Sequence, residues 1–131
     1  MLGALKLLER VFARGDDEVA QAAAEERERR LDERHDFTGF ASSLFCGIAK
    51  YELHLKDLSC KGASGLTDAP LKRGQLIGIE VDKKRFTTAE VRWTRNSKAG
   101  VAFLEPLDYE FVTGLHARHR RRMAKSDWRR R

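Results

Sequence analysis

The feature that most constrains this chain is a change of hydrophobic period. In the opening segment, through Phe12, apolar residues recur every three or four positions. From Thr38 onward they alternate every second position, in short runs broken by turn residues. The expected strands are Phe40 to Phe45, Ala49 to Lys56, Ala63 to Thr67, Gln75 to Val81, Phe86 to Thr94 and Gly100 to Leu104. Inward-facing positions include Tyr51, Leu53 and Leu55; Ile77, Ile79 and Val81; Ala89, Val91 and Trp93; and Val101 and Phe103. DKKR (82–85) and RNSK (95–98) read as exposed hairpin turns. Strands this short and this close together pair antiparallel. Closing them into a six-stranded barrel removes the two exposed edges that an open sheet would leave. The fold class expected is therefore mainly β, flanked by helices.

Two helical segments frame the barrel. Leu5, Leu8 and Phe12 lie on one helical face, Gly15 is expected to end that helix, and Asp16 or Asp17 to cap a second one through EVAQAAAEERERR. The second helix has few apolar residues and reads as an exposed spacer. After Pro106, the set Leu107, Phe111, Val112 and Leu115 predicts a helix that covers the sheet before fading into a basic tail. The expected organisation is an arm over residues 1–28, a barrel with its helix over 29–118, and a tail over 119–131.

Charge is unevenly placed. Of the net +6, eight Lys or Arg with a single acid fall between Arg118 and Arg131, and acids slightly outnumber bases in the rest. The basicity therefore belongs to a tail, which reads first as solvated helix end and second as a contact for phosphate, a membrane surface or an acidic partner. The strand faces show no exposed aromatic ladder, so no specific nucleic acid is expected. No apolar run reaches the length of a membrane span, and the charged opening MLGALKLLERVFARGDD does not read as an export signal, so a cytoplasmic location is expected. Cys46 and Cys60 fit no metal or redox spacing. His116 and His119, three apart, lack a third ligand in view. With no Ser-His-Asp set, HExxH, P-loop or paired-acid cleft, the chain reads as a receptor, not an enzyme, and no cofactor is expected.

The stretch KDLSCKGASG (56–65) breaks the alternation. Leu55 and Asp57 share a strand face by parity, so a regular strand would drive the carboxylate into the apolar layer at a cost of several kcal/mol. A bulge at Lys56 to Asp57 returns Leu58 to the core and turns Asp57 and Ser59 outward as a polar shelf. Gly62 then permits a positive φ or a close backbone approach. The shelf suits a planar partner with adjacent donors, such as the Watson–Crick edge of guanine; the plainer reading is a Ser or Asx turn at a strand end. Upstream, Arg30 and Arg34 are four apart, a spacing the chain also shows at Arg10/Arg14 and Arg118/Arg122. Arginine forks suit purine edges and phosphates, and the plainer reading here is pairing with Glu26 or a solvated helix face.

Taken together, RLDER (30–34), DLSCKG beginning 23 residues after Arg34, AEVRW (89–93) and GVAF (100–103) resemble the PilZ domain, whose pattern is RxxxR followed by [D/N]xSxxG on a six-stranded barrel with a C-terminal helix. The resemblance implies a bacterial receptor for the second messenger cyclic di-GMP. It implies that Arg30 and Arg34 hold guanine edges and phosphates, that Asp57 and Ser59 meet the base on its other edge, and that Gly62 permits the turn beneath. Arg29 precedes the pattern, and in the family a basic residue there accompanies binding of a stacked ligand pair. The chain departs from the family's usual pattern at His35, commonly apolar, and at Ala63 and Ser64, which are small. The implied partner beyond cyclic di-GMP is a protein effector reached through the N-terminal helix or the C-terminal tail. The alternatives are a PilZ-like interaction module without nucleotide binding, and a small basic nucleic-acid-binding barrel.

Overall fold

The structure, a computed structural model, describes the backbone of residues 2–130 and the side chains of residues 17–126. The chain divides into two compact units, Met1–Arg30 and Leu31–Arg131. The first unit is almost entirely helix α1 (Leu2–Asp32), which continues past the unit boundary by two residues. Gly15 does not end it. One helical glycine costs about 1 kcal/mol relative to alanine, and the Ala-, Glu- and Arg-rich run from Glu18 onward, with Ala13 and Arg14 before the glycine, outweighs that. Asp16 and Asp17 are consequently interior positions and not caps. The face carried by Leu5, Leu8 and Phe12 lies outside the described side chains. Over residues 17–30 the helix is exposed apart from a half-buried Glu26, as its thin apolar content predicts.

In the second unit six strands, β1 (His35–Cys46), β2 (Ala49–Leu58), β3 (Gly62–Leu66), β4 (Leu76–Asp82), β5 (Arg85–Arg95) and β6 (Lys98–Phe103), close into an antiparallel barrel in the order β1-β2-β3-β6-β5-β4. The alternation behaves as read: Ile77, Ile79 and Val81 are buried while their neighbours face outward. The core joins Leu44, Leu53, Leu55, Leu58, Val91, Val101 and Phe103 to these, and Tyr51 packs on it only in part. The β5–β6 turn places Asn96 and Ser97 at φ 49° and 65°, the tight mirror-image turn whose twist matches the strands.

Bulges at β1 and β5 account for two positions where the strands differ from the expected alternation. β1 starts at His35, earlier than the periodicity suggests, because a register shift between Asp36 and Phe40, with Gly39 at φ 90°, interrupts its pattern and buries Phe37 completely. A second shift between Val91 and Trp93 flips the parity of β5. Trp93, expected inside, is 46% exposed.

Helix α2 (Tyr109–Arg130) packs on β1 and buries Val112 and Leu115, with Leu107 buried just before it. It does not fade at residue 118 but runs on through the basic segment, where no glycine or proline interrupts it. His119 is buried against this seam, stacked on Phe37 with ring centroids 5.8 Å apart and Nε2 2.9 Å from the Thr38 carbonyl oxygen.

Candidate functional site

The bulge foreseen in the polar stretch is present. β2 pairs Leu55 with Gly65 and Asp57 with Ser64, so Lys56 is the extra residue. Leu58 returns to the core with no exposure, and the Asp57 side chain is left 24% exposed at the barrel surface. Its Oδ2 accepts a hydrogen bond from the Ser64 hydroxyl at 2.8 Å, and its Oδ1 lies 3.8 Å from Nη1 of Arg34. Arg34 sits in the two-residue link between α1 and β1, with its side chain 73% exposed. An exposed pair of this kind contributes about 0–1 kcal/mol, so either partner can be surrendered to a ligand at small cost.

Ser59 is placed differently from the reading above. It is buried, and its hydroxyl closes the turn after β2: Oγ accepts from the backbone N–H groups of Lys61 (3.2 Å) and Gly62 (3.1 Å) and lies 3.3 Å from the Gly62 carbonyl oxygen as donor. The Ser59 N–H also donates to that carbonyl at 2.8 Å. The turn reading therefore describes what Ser59 does within the fold. Gly62 is needed for close approach and not for a positive φ, since a Cβ there would fall against the Val101 carbonyl oxygen of β6.

Around these residues lies an open pocket of about 280 Å³, lined by Arg34, Ser59, Gly62, Ser64, Arg92, Trp93 and Gly100 among others. The Trp93 indole rests directly over Gly100, where any side chain would collide with it. One wall is thus a flat aromatic face, the floor is backbone and small side chains, and the rim carries two arginines. Lys61, also at the rim, pairs with Asp32 at 3.0 Å. The volume is at the lower end of small-molecule sites, enough for a planar base with a neighbouring anion but not for full enclosure of a dinucleotide.

The PilZ domain family model matches residues 28–114, about two thirds of the chain, and so spans the arginine segment, this pocket and the whole barrel. The chain belongs to the PilZ domain family. No curated protein matches it significantly. PilZ domains are known cyclic di-GMP-binding modules and not enzymes, and they typically act through protein effectors.

The PilZ motif residues are not all in one compact unit. Arg34, Asp57, Ser59 and Gly62 belong to the barrel unit, where Arg34, Ser59 and Gly62 line the pocket and Asp57 adjoins it through Arg34 and Ser64. Arg29 and Arg30 belong to the helical unit, at the end of α1, and both pair with Glu26, Arg30 through Nε at 3.3 Å. The Arg29 hydrogen bond is the main reason the Glu26 carboxyl lies below its ordinary value. The Glu26 reading therefore holds for Arg30 and not for Arg34.

Among the pocket residues, Ser64, and Arg92 and Trp93 within AEVRW, receive no ligand role from the motif reading. Parity concealed Trp93. Ser64 was legible only as a small residue after the motif glycine, until the register set it opposite Asp57. Cys60 is packed and 1% exposed, and burial, with Asp108 and Glu33 nearby, pushes its thiol up, so it is a poor nucleophile. Among the described residues no cluster of His, Cys, Asp or Glu is arranged to hold a metal, and no helix is long and apolar enough to cross a membrane.

Proposed function

We propose that this PilZ domain is a cyclic di-GMP receptor that passes the level of the second messenger to a protein effector. The observation that carries the reading is the Arg34–Asp57 pair, whose arginine lines a pocket with a tryptophan wall and whose acid adjoins that pocket through Arg34 and Ser64. A cyclic dinucleotide presents two phosphates and two purines. Arg34 and Arg30 supply bidentate cations for the Hoogsteen edge and phosphate, Asp57 supplies the acceptor for guanine N1–H and N2–H₂, and Trp93 supplies a stacking face. Ser59 and Gly62 act by holding the turn in the shape that exposes Asp57. Arg29 favours capture of a second, stacked ligand.

The output is a change in the segment that carries the arginines. Arg34 lies in a two-residue link, so drawing its guanidinium from Asp57 onto a phosphate alters the end of α1 and the start of β1 together. Slower amide exchange across residues 16–36 on adding ligand is the expected signature; an unchanged pattern there removes the output step.

Calorimetry with cyclic di-GMP on the wild type, Arg34→Ala and Asp57→Ala tests the binding itself. Each substitution removes a charge-assisted contact of about 1.5–3 kcal/mol, so affinity falls by roughly ten- to a hundredfold with the fold retained. Absence of heat from the wild-type protein overturns the reading and leaves an interaction module without nucleotide.

A further inference from the structure

A second and larger groove, of about 820 Å³, opens elsewhere on the barrel unit, between β1, the β4–β5 hairpin and α2. It shares no lining residue with the pocket described above. Its origin is the seam where the barrel closes. β1 pairs with β4 only from Ser43↔Glu80 to Phe45↔Gly78. Beyond that point the ladder stops, and the Ser42 hydroxyl bonds to the Val81 carbonyl oxygen at 2.7 Å in its place. The β1 segment from Phe40 to Ser42 thus lines a groove where a further strand partner would otherwise lie.

Three elements point cations into this groove: Lys50 from β2, Lys83 and Lys84 from the hairpin, and Arg118 and Arg122 from α2. Arg118 and Arg122 are four apart and share a helix face with Leu115, which joins Phe40 and Val81 in an apolar floor. No ion pair holds Lys83, Lys84, Arg118 or Arg122 to an acid among the described residues. Five cations against the two acids Glu80 and Asp82 leave an excess of positive charge around one concavity, and an anionic occupant relieves their mutual repulsion.

We propose that this groove docks an acidic, amphipathic segment of a partner protein. Three features select a peptide over other anions. Glu80 and Asp82 stand among the cations, which penalises a continuous phosphate backbone or a lipid surface but suits a chain of mixed side chains. The apolar floor gives aliphatic side chains somewhere to bury. The interrupted ladder offers backbone along β1 to a peptide, as sheet edges do. The proposal does not depend on nucleotide binding at the other pocket.

The test is fluorescence anisotropy with a labelled synthetic amphipathic peptide of leucine and glutamate, against its lysine counterpart, a single-stranded oligonucleotide and phosphatidylserine vesicles. The acidic peptide binds, and affinity falls at least about tenfold from about 50 to about 300 mM salt, as for a surface-charge contact. It falls at least about tenfold again in Arg118→Glu/Arg122→Glu and in Lys83→Glu/Lys84→Glu. The second pair lies in an exposed turn, so it decides the matter where the helix variant lowers the melting temperature. Peptide binding that is absent, or unaltered by the hairpin variant, overturns the proposal, as does tighter binding of the oligonucleotide or the vesicles.

Discussion

Ser64 and Asp57 face each other directly across β3 and β2, and the serine hydroxyl holds Oδ2 of the carboxylate at 2.8 Å. Its partner oxygen Oδ1 is left turned toward Arg34. Ser64→Ala leaves a half-buried carboxylate without its neutral donor and free to rotate. Binding of cyclic di-GMP weakens by roughly fivefold, equivalent to about 1 kcal/mol. Ser64→Thr, which keeps the hydroxyl, restores most of it. Calorimetry on the two variants checks this, and the threonine variant separates loss of the donor from general loosening of β3.

Gly62→Ala inserts a methyl group against the Val101 carbonyl oxygen in the neighbouring strand. The atom in the way is backbone, so the strands themselves must part. We expect a loss of about 1–3 kcal/mol in stability, read by urea denaturation, with ligand binding reduced through displacement of the Ser59 turn.

Trp93→Ala removes the aromatic wall without opening the core, because the ring lies outside the barrel. Cyclic di-GMP affinity drops by about 1–3 kcal/mol, the usual worth of stacking one base, while the melting temperature changes little. The chain has two tryptophans, Trp93 and Trp128. In a Trp128→Phe background the remaining emission reports ligand addition directly.

Burial, reinforced by His35, Arg120 and His119, holds the His116 imidazole below its ordinary value, and a backbone hydrogen bond at Asp36 opposes this only in part. The unfolded chain therefore takes up this proton at higher pH than the folded protein does. Stability is full above about pH 6.5 and declines as the pH falls below it. Asp36, held below the usual carboxylate range by Thr38, adds a further loss only at more acidic pH, through its ordinary value near 3.8 and below. Thermal melting of wild type and His116→Phe between about pH 7.5 and 5.5 checks the sign: the substitution flattens the slope.

How much of this was legible beforehand depends on where the two-residue period survives. β4, with Ile77, Ile79 and Val81, is regular, and its inward face was readable residue by residue. The Lys56 bulge was also readable, because regular geometry would have buried Asp57. The bulge before Trp93 left no such mark: an aromatic residue is acceptable on either face, so no conflict announced the parity change. Gly15 misled for a related reason, since a helix-weakening residue is not a helix-ending one when its flanks favour the helix. At the site, Arg34, Asp57 and Gly62 were legible as a motif. For Ser59 both a ligand contact and a turn were legible but not the choice between them, because a hydroxyl has the same sequence signature whether it faces a ligand or its own turn.

The shelf after β2 rests on backbone and turn chemistry, while the groups poised for a ligand, Arg34 and Asp57, lie at the surface and hold little of the barrel together. Sensing and folding are thus served by largely separate atoms. Under the proposed function, a single substitution at either charge blunts the response yet leaves an intact scaffold, still able to occupy an effector as a competitor that barely hears the signal.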